Sequence, residues 1–425
     1  MRYIFTLLTV FSLVSCQMGG EATVTNSEDY NEFLINKPLK TDSKYFNLWN
    51  SKIKPDSIQL MSFGIVAGEY NDFFQKTGDI QYLKKAEQAL EKAVDIAAIG
   101  RAGYYRALAR NYISQHRFKD ALRMANAARK RGSDITDSQR LLFDIQMELG
   151  NYKDAEKYLD STKNMSDFGY LIRLAKWNDY KGDLDTTIRF MEKAMMEAEK
   201  TNSNELKLWS YTNLADYYGH AGKVKDSYRY YLKALKLDPG NAYAKKGIAW
   251  IVFSYEKNPE EALRILDSVT KNYKSPDYYL VKAEIAEFMG NDIESLSNLD
   301  LYFKMVQNSD YGDMYNAYNV NLYIDKTQQY KKAIQLSKKE VANRPTPESY
   351  SLLAYSYLKN GETEKARNIV ELHIEGKTFE PNILYRNAEI YKATGEKEKV
   401  LLLKEELMGA IYELGPSMED KIVHL

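Results

Sequence analysis

The amino-acid sequence predicts an all-α protein, built as an α-solenoid of about ten helix-turn-helix units. Three observations carry this prediction: a two-helix pattern that recurs along the chain, glycines at its turns, and alanines where its helices would cross. Only nine prolines occur in 425 residues, which leaves long stretches free for helices. Because stacked repeats share one continuous core, we expect one elongated body instead of two or three domains.

The first 15 residues have the pattern of an export signal peptide. Arg2 gives a positively charged start, residues 3–14 are mostly apolar, and the small residue Ser15 precedes Cys16. An apolar run of about 12 residues is too short to cross a bilayer as a helix, which needs about 20. We therefore predict no transmembrane helix in the mature chain.

Residues 13–16, with the sequence LVSC, closely resemble the lipobox of bacterial lipoproteins. The resemblance implies cleavage before Cys16, diacylglycerol on its sulfur and a further acyl chain on the new amino terminus. Stable anchoring takes two or more such chains. Cys16 is the single cysteine, so we expect no disulfide and no cysteine metal site. The alternative is an ordinary signal peptide with a chance cysteine.

The lipobox also implies a place in the cell envelope, and the absence of an aspartate after the cysteine favours the outer membrane. Gln17 follows the cysteine, where an aspartate would resemble the inner-membrane retention mark of enterobacterial lipoproteins. These residues do not decide between the periplasmic and the outer face. Residues 16–57 are polar and contain two prolines, so we predict a lipidated N-terminus and flexible tether, with a short helix near 45–53.

The repeat is clearest at residues 209–241, WSYTNLADYYGHAGKVKDSYRYYLKALKLDPGN. This segment closely resembles the tetratricopeptide repeat (TPR), a two-helix unit with a period of about 34 residues. The same spacing recurs at residues 104–132 and 353–370, and less regular units lie at 246–266 and around 315–341. The resemblance implies a right-handed superhelix whose first helices line a concave groove.

We expect the TPR solenoid to occupy residues 58–407. In each unit, small residues such as Ala215 and Ala234 allow two helices to cross closely. Gly222 stands where the first helix must end, in a conformation that glycine adopts without a steric penalty. Residues 408–425 are predicted to form a capping helix and a short tail over the last repeat.

Charge is balanced overall but not locally. Lysine plus arginine and aspartate plus glutamate number 59 each, so no net charge favours nucleic acid as a partner. Residues 101–131, however, hold nine basic residues and one acid, Asp120. Phasing on the TPR pattern predicts a ligand-binding groove formed by Arg106, Arg110, Arg140, Arg173, Lys176, Asn213 and Asp216.

Guanidinium groups bind carboxylates and phosphates through two hydrogen bonds, so the basic end of this groove suits an anionic segment. The alternative is a solvated face whose bases pair with Asp144 and Asp179. The peptide-binding clamp of the best-known TPR proteins is not reproduced, because Arg106 and Arg110 occupy the places of its lysine and asparagine. A C-terminal peptide ligand is therefore not implied.

The sequence carries no recognisable catalytic or metal-binding motif. Its four histidines are far apart along the chain, and none belongs to an H-E-x-x-H motif. Residues 219–224, GHAGKV, fail as a phosphate-binding loop because Val224 replaces the serine or threonine. We therefore predict no enzyme activity, no metal and no cofactor.

Together these features predict a non-catalytic envelope lipoprotein that acts as a scaffold for a protein or peptide partner. Contact with the membrane is expected through the lipid anchor only. The alternative is a surface glycan-binding lipoprotein of the starch-utilisation type, although such proteins interrupt similar helices with large insertions. Tyr315 and Tyr318 could stack on a sugar or a peptide, but packing in the core is favoured.

Overall fold

The computed structural model of the chain describes residues 23–35, 41, 43–54 and 56–425. The predicted signal peptide and Cys16 lie outside these residues. Within the described residues the secondary structure is helical, without β-strands, and the predicted all-α solenoid is confirmed. None of the described helices has the length and hydropathy needed to cross a bilayer.

Ten helical hairpins follow one another along the described chain. The first five pair α3 (Leu60–Thr77) with α4 (Ile80–Ile96), α5 (Arg101–Ser114) with α6 (Phe118–Lys130), α7 (Ile135–Glu148) with α8 (Tyr152–Ser161), α9 (Phe168–Tyr180) with α10 (Leu184–Glu199), and α11 (Asn204–His220) with α12 (Val224–Leu237). The other five pair α13 (Ala242–Trp250) with α14 (Pro259–Thr270), α15 (Asp277–Phe288) with α16 (Asp292–Val306), α17 (Asn316–Asp325) with α18 (Tyr330–Asn343), α19 (Pro347–Lys359) with α20 (Thr363–His373), and α21 (Pro381–Thr394) with α22 (Lys397–Gly409).

Shorter elements flank or extend the hairpins. They are α1 (Ser27–Tyr30) and α2 (Lys44–Asn50) before the first hairpin, a π-helical turn (Ile251–Tyr255) that extends α13, and α23 (Ile411–Leu414) and α24 (Glu419–Val423) after the last hairpin.

Each hairpin closes as its local sequence predicts. At the end of α11, Gly222 adopts a φ of 68°, and the Lys223 N–H donates to the Tyr218 carbonyl over 2.8 Å. These interactions satisfy carbonyls that a helix end leaves unpaired. Ala215 and Ala234, at the crossing of α11 and α12, are fully buried. Small side chains at this crossing let the two helices approach closely.

Tyrosines fill the space between the helices and keep their hydroxyl groups satisfied. Tyr112 is buried and donates to Glu91 over 2.9 Å, and Tyr218 is buried and donates to Glu192 over 2.5 Å. Tyr357 is half-buried beside the core of the last two hairpins. Tyr112 and Tyr218 therefore belong to the core between the helices.

The solenoid winds far enough for one superhelical turn to touch the next. The Lys274 N–H donates to the Thr77 carbonyl over 2.6 Å. The Asn343 side chain donates to the His116 carbonyl over 2.9 Å. Arg344 lies 3.2 Å from Glu148, a residue 196 positions earlier in the chain. Turns at one edge of the early hairpins therefore rest on loops at the opposite edge of the later hairpins.

The segment before the first hairpin differs from the predicted flexible tether of residues 16–57. Residues 23–34 lie against α12 and α14, where Tyr30 is 2% exposed and donates to Glu261 over 2.7 Å. The short helix expected near 45–53 is α2, and it packs Phe46 against Phe73 of α3 with ring centroids 5.2 Å apart. The tether prediction is wrong here because Tyr30 and Phe46 bury aromatic surface within an otherwise polar stretch.

The residues after the last hairpin reach further than the predicted cap. Ile422 of α24 is fully buried in a cluster with Leu407 of α22, as a cap over the last repeat requires. The Tyr412 carbonyl also accepts hydrogen bonds from Trp250 over 2.9 Å and from Ser254 over 2.8 Å. The C-terminal segment therefore links the last hairpin to the middle of the solenoid.

Candidate functional site

The first helices of successive hairpins lie side by side and form the inner surface of the superhelix. Contacts between α5 and α7, α7 and α9, α11 and α13, and α17 and α19 define this surface. All seven residues of the predicted groove lie on α5, α7, α9 and α11. The structure shows which of their charged groups are already satisfied by other parts of the chain.

Arg106 does not face the groove, contrary to the prediction made by phasing the repeats. Its side chain is buried and its guanidinium donates to the Ser133 carbonyl over 2.9 Å and to Asp134 over 2.7 Å. Both acceptors belong to the loop that precedes α7. Arg106 therefore joins two neighbouring hairpins, and the prediction that it contacts a ligand is corrected.

Three further bases of the groove are paired with carboxylates. Arg140 lies 2.6 Å from Asp167, Arg173 lies 2.5 Å from Asp144, and Lys176 lies 2.9 Å from Glu148. For these three bases the alternative interpretation, a face of paired charges, is correct. Asp144 is a partner as expected, and Glu148 takes the place that was expected for Asp179.

The partners share one spacing. Each acid of the four pairs lies 27–29 positions from its base, within a neighbouring hairpin. The sequence contains this spacing, which is the signal from which such pairs can be predicted. The ion pairs hold adjacent first helices in register, which removes most of the positive charge expected in the groove.

Arg110 is the exception. It is exposed on α5 and makes no ion pair or side-chain hydrogen bond with the described residues. Partial desolvation of the guanidinium by the surrounding inner surface and the nearby Arg173 lower the pKa of Arg110, while Asp137 and Asp144 raise it; the arginine stays charged at neutral pH. Arg110 is therefore the predicted groove arginine best able to accept an anionic group from outside.

Asp216 and Asn213 serve the protein itself. Asp216 accepts hydrogen bonds from the Tyr231 hydroxyl and, over 2.6 Å, from the Tyr243 hydroxyl. Burial raises the pKa of Asp216 more than these two hydroxyls lower it. Asn213 donates to the Trp209 carbonyl of its own helix over 2.8 Å. Asp216 thereby fixes the ring of Tyr243 at the inner surface.

Exposed aromatic rings complete this surface. Trp209, Tyr243 and Tyr318 are 40%, 47% and 45% exposed, and they belong to the first helices α11, α13 and α17. Of these, only Tyr318 was singled out from the sequence. Its neighbour Tyr315 is buried in the core against Tyr311, so the core interpretation is confirmed for Tyr315 alone. Exposed aromatics are common anchors of protein partners.

A cleft of about 520 Å³ opens where the two superhelical turns meet. Lys176, Asp179 and His220 line it from one turn, and Glu380 and Glu413 line it from the other. Burial raises the pKa of both Asp179 and Glu380. Burial lowers the pKa of His220, but Glu413, 2.9 Å away, together with Asp216 and Asp179 outweighs this effect, and the net shift of the pKa is upward. Within the described residues, no three or more histidine, cysteine, aspartate or glutamate side chains are grouped so that they could hold a metal ion.

Glu284 on α15 is an isolated acid beneath the C-terminal segment, close to Gly415. It accepts no hydrogen bond from the described residues. Burial raises its pKa to about 7, assisted by Glu287 and opposed by Lys421 and Lys326. In the folded protein this carboxyl therefore changes charge near neutral pH, whereas in the unfolded chain it ionises at its ordinary pKa of 4.5.

The substitution Glu284→Gln should stabilise the protein at pH 8 by about 1–3 kcal/mol, since each pKa unit corresponds to about 1.4 kcal/mol. The wild-type penalty is absent below about pH 4.5, grows as pH rises to about 7, and is constant above it. Urea unfolding at pH 5 and pH 8 measures the difference. Glu405→Gln, at an exposed site on α22, should change stability at neither pH, and equal behaviour of the two variants would contradict the burial of Glu284.

Two segments of the chain match known repeat families. Residues 106–167 match a family model described as tetratricopeptide repeat, and residues 210–241 match a second model with the same description. The chain contains tetratricopeptide repeats. The matched TPR segments span most of α5, all of α6 to α8, most of α11 and all of α12, and they contain five of the seven predicted groove residues. The other two, Arg173 and Lys176, lie on α9, outside both matched segments.

Several solved structures are similar to the TPR solenoid. The human IFIT1 dimer with PPP-AAAA is 12% identical over 81% of this chain and 98% of its own, with a TM-score of 0.44. A Rap protein complexed with competence and sporulation factor is 14% identical over 74% and 98%, with a TM-score of 0.43. A TPR protein from Parabacteroides merdae is 18% identical over 61% and 97%, with a TM-score of 0.34. No curated protein matches the chain.

Proposed function

We propose that the protein is a non-catalytic, lipid-anchored scaffold of the cell envelope that binds another protein through its inner surface. The TPR units support an interaction role, because stacked repeats offer an extended concave surface for peptides and helices. The lipid anchor and the outer-membrane location rest on the sequence around Cys16. The partner in this proposal is a protein with an acidic segment and apolar side chains.

The observation that carries the proposal is the contrast between Arg110 and its neighbours. Arg106 pairs with Asp134 and Arg173 pairs with Asp144, so both charges are neutralised within the solenoid. Arg110 is exposed between them without a carboxylate partner. A carboxylate from a bound segment would form the charge-assisted pair that this arginine lacks. The exposed rings of the inner surface offer apolar contact along the same face.

Arg110→Glu should reduce capture of the partner at least tenfold, which corresponds to about 1.4 kcal/mol. The folded state should persist, because Arg106 and Arg173 keep their own partners. A photo-crosslinking residue at Tyr318 would trap the partner in cells, and mass spectrometry would identify it. The matched control is Arg131→Glu, which reverses the charge of an exposed arginine just after α6 and should leave capture unchanged.

The placement of the crosslinker separates the competing outcomes. A probe at Lys225, exposed on the outer helix α12, should not trap the same partner. Equal capture by wild type and Arg110→Glu would remove Arg110 from the binding surface. Recovery of glycan alone, or of nothing, from the Tyr318 probe would contradict the protein-scaffold proposal and favour carbohydrate capture.

A further inference from the structure

The amino-terminal end of the described chain is fixed to one corner of the solenoid. The Val24 and Thr25 N–H groups donate to Glu256 over 2.7 and 2.6 Å, and the Thr25 hydroxyl donates to the same carboxylate over 2.9 Å. The Asn26 carbonyl accepts from the Tyr228 hydroxyl over 3.1 Å. With Tyr30 buried further along, these contacts hold the segment against the turn that precedes α14.

The distance from this corner to the predicted anchor is short. Thr23 stands seven positions after Cys16, and a fully extended chain over seven positions spans at most about 25 Å. Whatever path these residues take, a lipid on Cys16 therefore places Thr23 within about 25 Å of the bilayer surface, with the Glu256 turn beside it. A flexible tether of residues 16–57 would have allowed a much greater distance.

An exposed apolar cluster lies beside the same corner. Ile293 and Leu296 of α16 are 84% and 66% exposed, and Phe288 and Met289 at the end of α15 are partly exposed next to them. Phe288 packs against Phe253 of the π-helical turn, with ring centroids 5.3 Å apart, and Phe253 stands three positions before Glu256. Clustered exposed apolar side chains of this size mark an interaction surface.

We infer that this corner of the solenoid rests on the membrane, with Ile293 and Leu296 in the boundary between headgroups and acyl chains. The inference rests on the proposed lipid attachment of Cys16 and goes beyond it, since the sequence predicted membrane contact through the lipid alone. The short connection from Thr23 brings the cluster to the bilayer, and burial of the apolar side chains there is favourable.

The charges around the cluster define the kind of contact. Ile293 stands between Asp292 and Glu294, so attraction to anionic lipids does not drive the contact. The contact is apolar, and high salt should not abolish it. The docked segment and the apolar cluster together give the body a fixed orientation, whereas a lipid on a free tether would leave it able to rotate.

Fluorescence quenching in vesicles tests this orientation. The lipid occupies the chain's single cysteine, so a cysteine introduced by Ile293→Cys can be labelled selectively with a nitrobenzoxadiazole probe. The lipidated full-length protein would be placed in vesicles of phosphatidylethanolamine and phosphatidylglycerol containing doxyl-labelled lipid. We expect at least twofold quenching at position 293 and again with Leu296→Cys. The matched control, Leu401→Cys on α22, replaces a leucine that is 69% exposed and should not be quenched.

The outcomes distinguish this inference from the anchor. If the protein floats with vesicles but positions 293 and 401 behave alike, the inference is wrong and the anchor stands. If Cys16→Ala leaves the protein in the membrane fraction, lipid attachment itself fails. Protection of position 293 from aqueous iodide in cell membranes, without quenching by doxyl lipid, would assign the cluster to a partner protein and overturn the inference. Glu256→Ala should reduce quenching at 293 while flotation persists.

Discussion

Arg344→Ala should lower the free energy of unfolding by about 3 kcal/mol, because it breaks a largely buried charge network. Arg344 is 13% exposed, lies 3.2 Å from Glu148 of the neighbouring superhelical turn, and lies 3.3 Å from Glu340 of α18. Without the arginine, the nearly buried Glu340 keeps no cationic partner of this network. Glu148 retains only Lys176, 2.9 Å away. The contact between turns should therefore loosen.

Chemical denaturation measures the loss of unfolding free energy, and hydrogen exchange measures the loosening of the contact between turns. Amides of the early turn near Gly150, which lies against the Pro345 carbonyl, should exchange faster in the variant. The control is Lys157→Ala, which breaks an exposed pair with Asp154 and should leave stability almost unchanged, because solvent screens such pairs. If the two variants lose the same stability, the turns do not support each other.

Gly247→Ala should cost about 3 kcal/mol, although alanine is the better helix former. A Cβ atom at position 247 of α13 would lie 2.2 Å from the Tyr231 ring. That ring is buried in α12, and its hydroxyl donates to Asp216, so it cannot withdraw without losing a buried hydrogen bond. The glycine is therefore required by the close approach of α12 and α13.

Thermal or urea unfolding checks this prediction against the same change at another site. Gly68 is exposed on α3 and a Cβ there meets nothing within 4 Å, so Gly68→Ala should stabilise the protein by about 0.5–1 kcal/mol. Opposite signs at the two glycines are expected. Pairing Gly247→Ala with Tyr231→Leu should recover part of the loss, and no recovery would mean that the clash lies elsewhere.

The hairpins could be predicted from the sequence because their determinants are local. Ala215, Ala234 and Gly222 lie within one unit, and each acts on its own crossing or turn. The winding of the superhelix depends instead on a small rotation at every repeat, which summed over several units brings Lys274 to Thr77. No single motif encodes that sum, so the contacts between turns were not expected.

The candidate site was predicted in position but not in detail. Repeat phasing placed Arg140, Arg173 and Lys176 on the inner helices, but of the acids 27–29 positions away that neutralise them only Asp144 was expected as a partner. Arg106 and Arg110 lie one helical turn apart, and only tertiary packing turns the first toward a loop and leaves the second exposed. The docking of residues 23–34 depends on Glu256, more than 230 positions away, which explains why composition alone suggested a tether.

The contacts between successive turns give this molecule an unusual mechanical character. An open solenoid has low stiffness along its axis, since each hairpin contacts only its neighbours along the chain. Here hydrogen bonds such as Lys274 to Thr77 and Asn343 to His116 join successive turns of the superhelix. Pulling the ends of the chain apart must therefore first break these contacts between turns. We expect stiff resistance up to a threshold force, followed by lengthening of the coil while every hairpin stays folded.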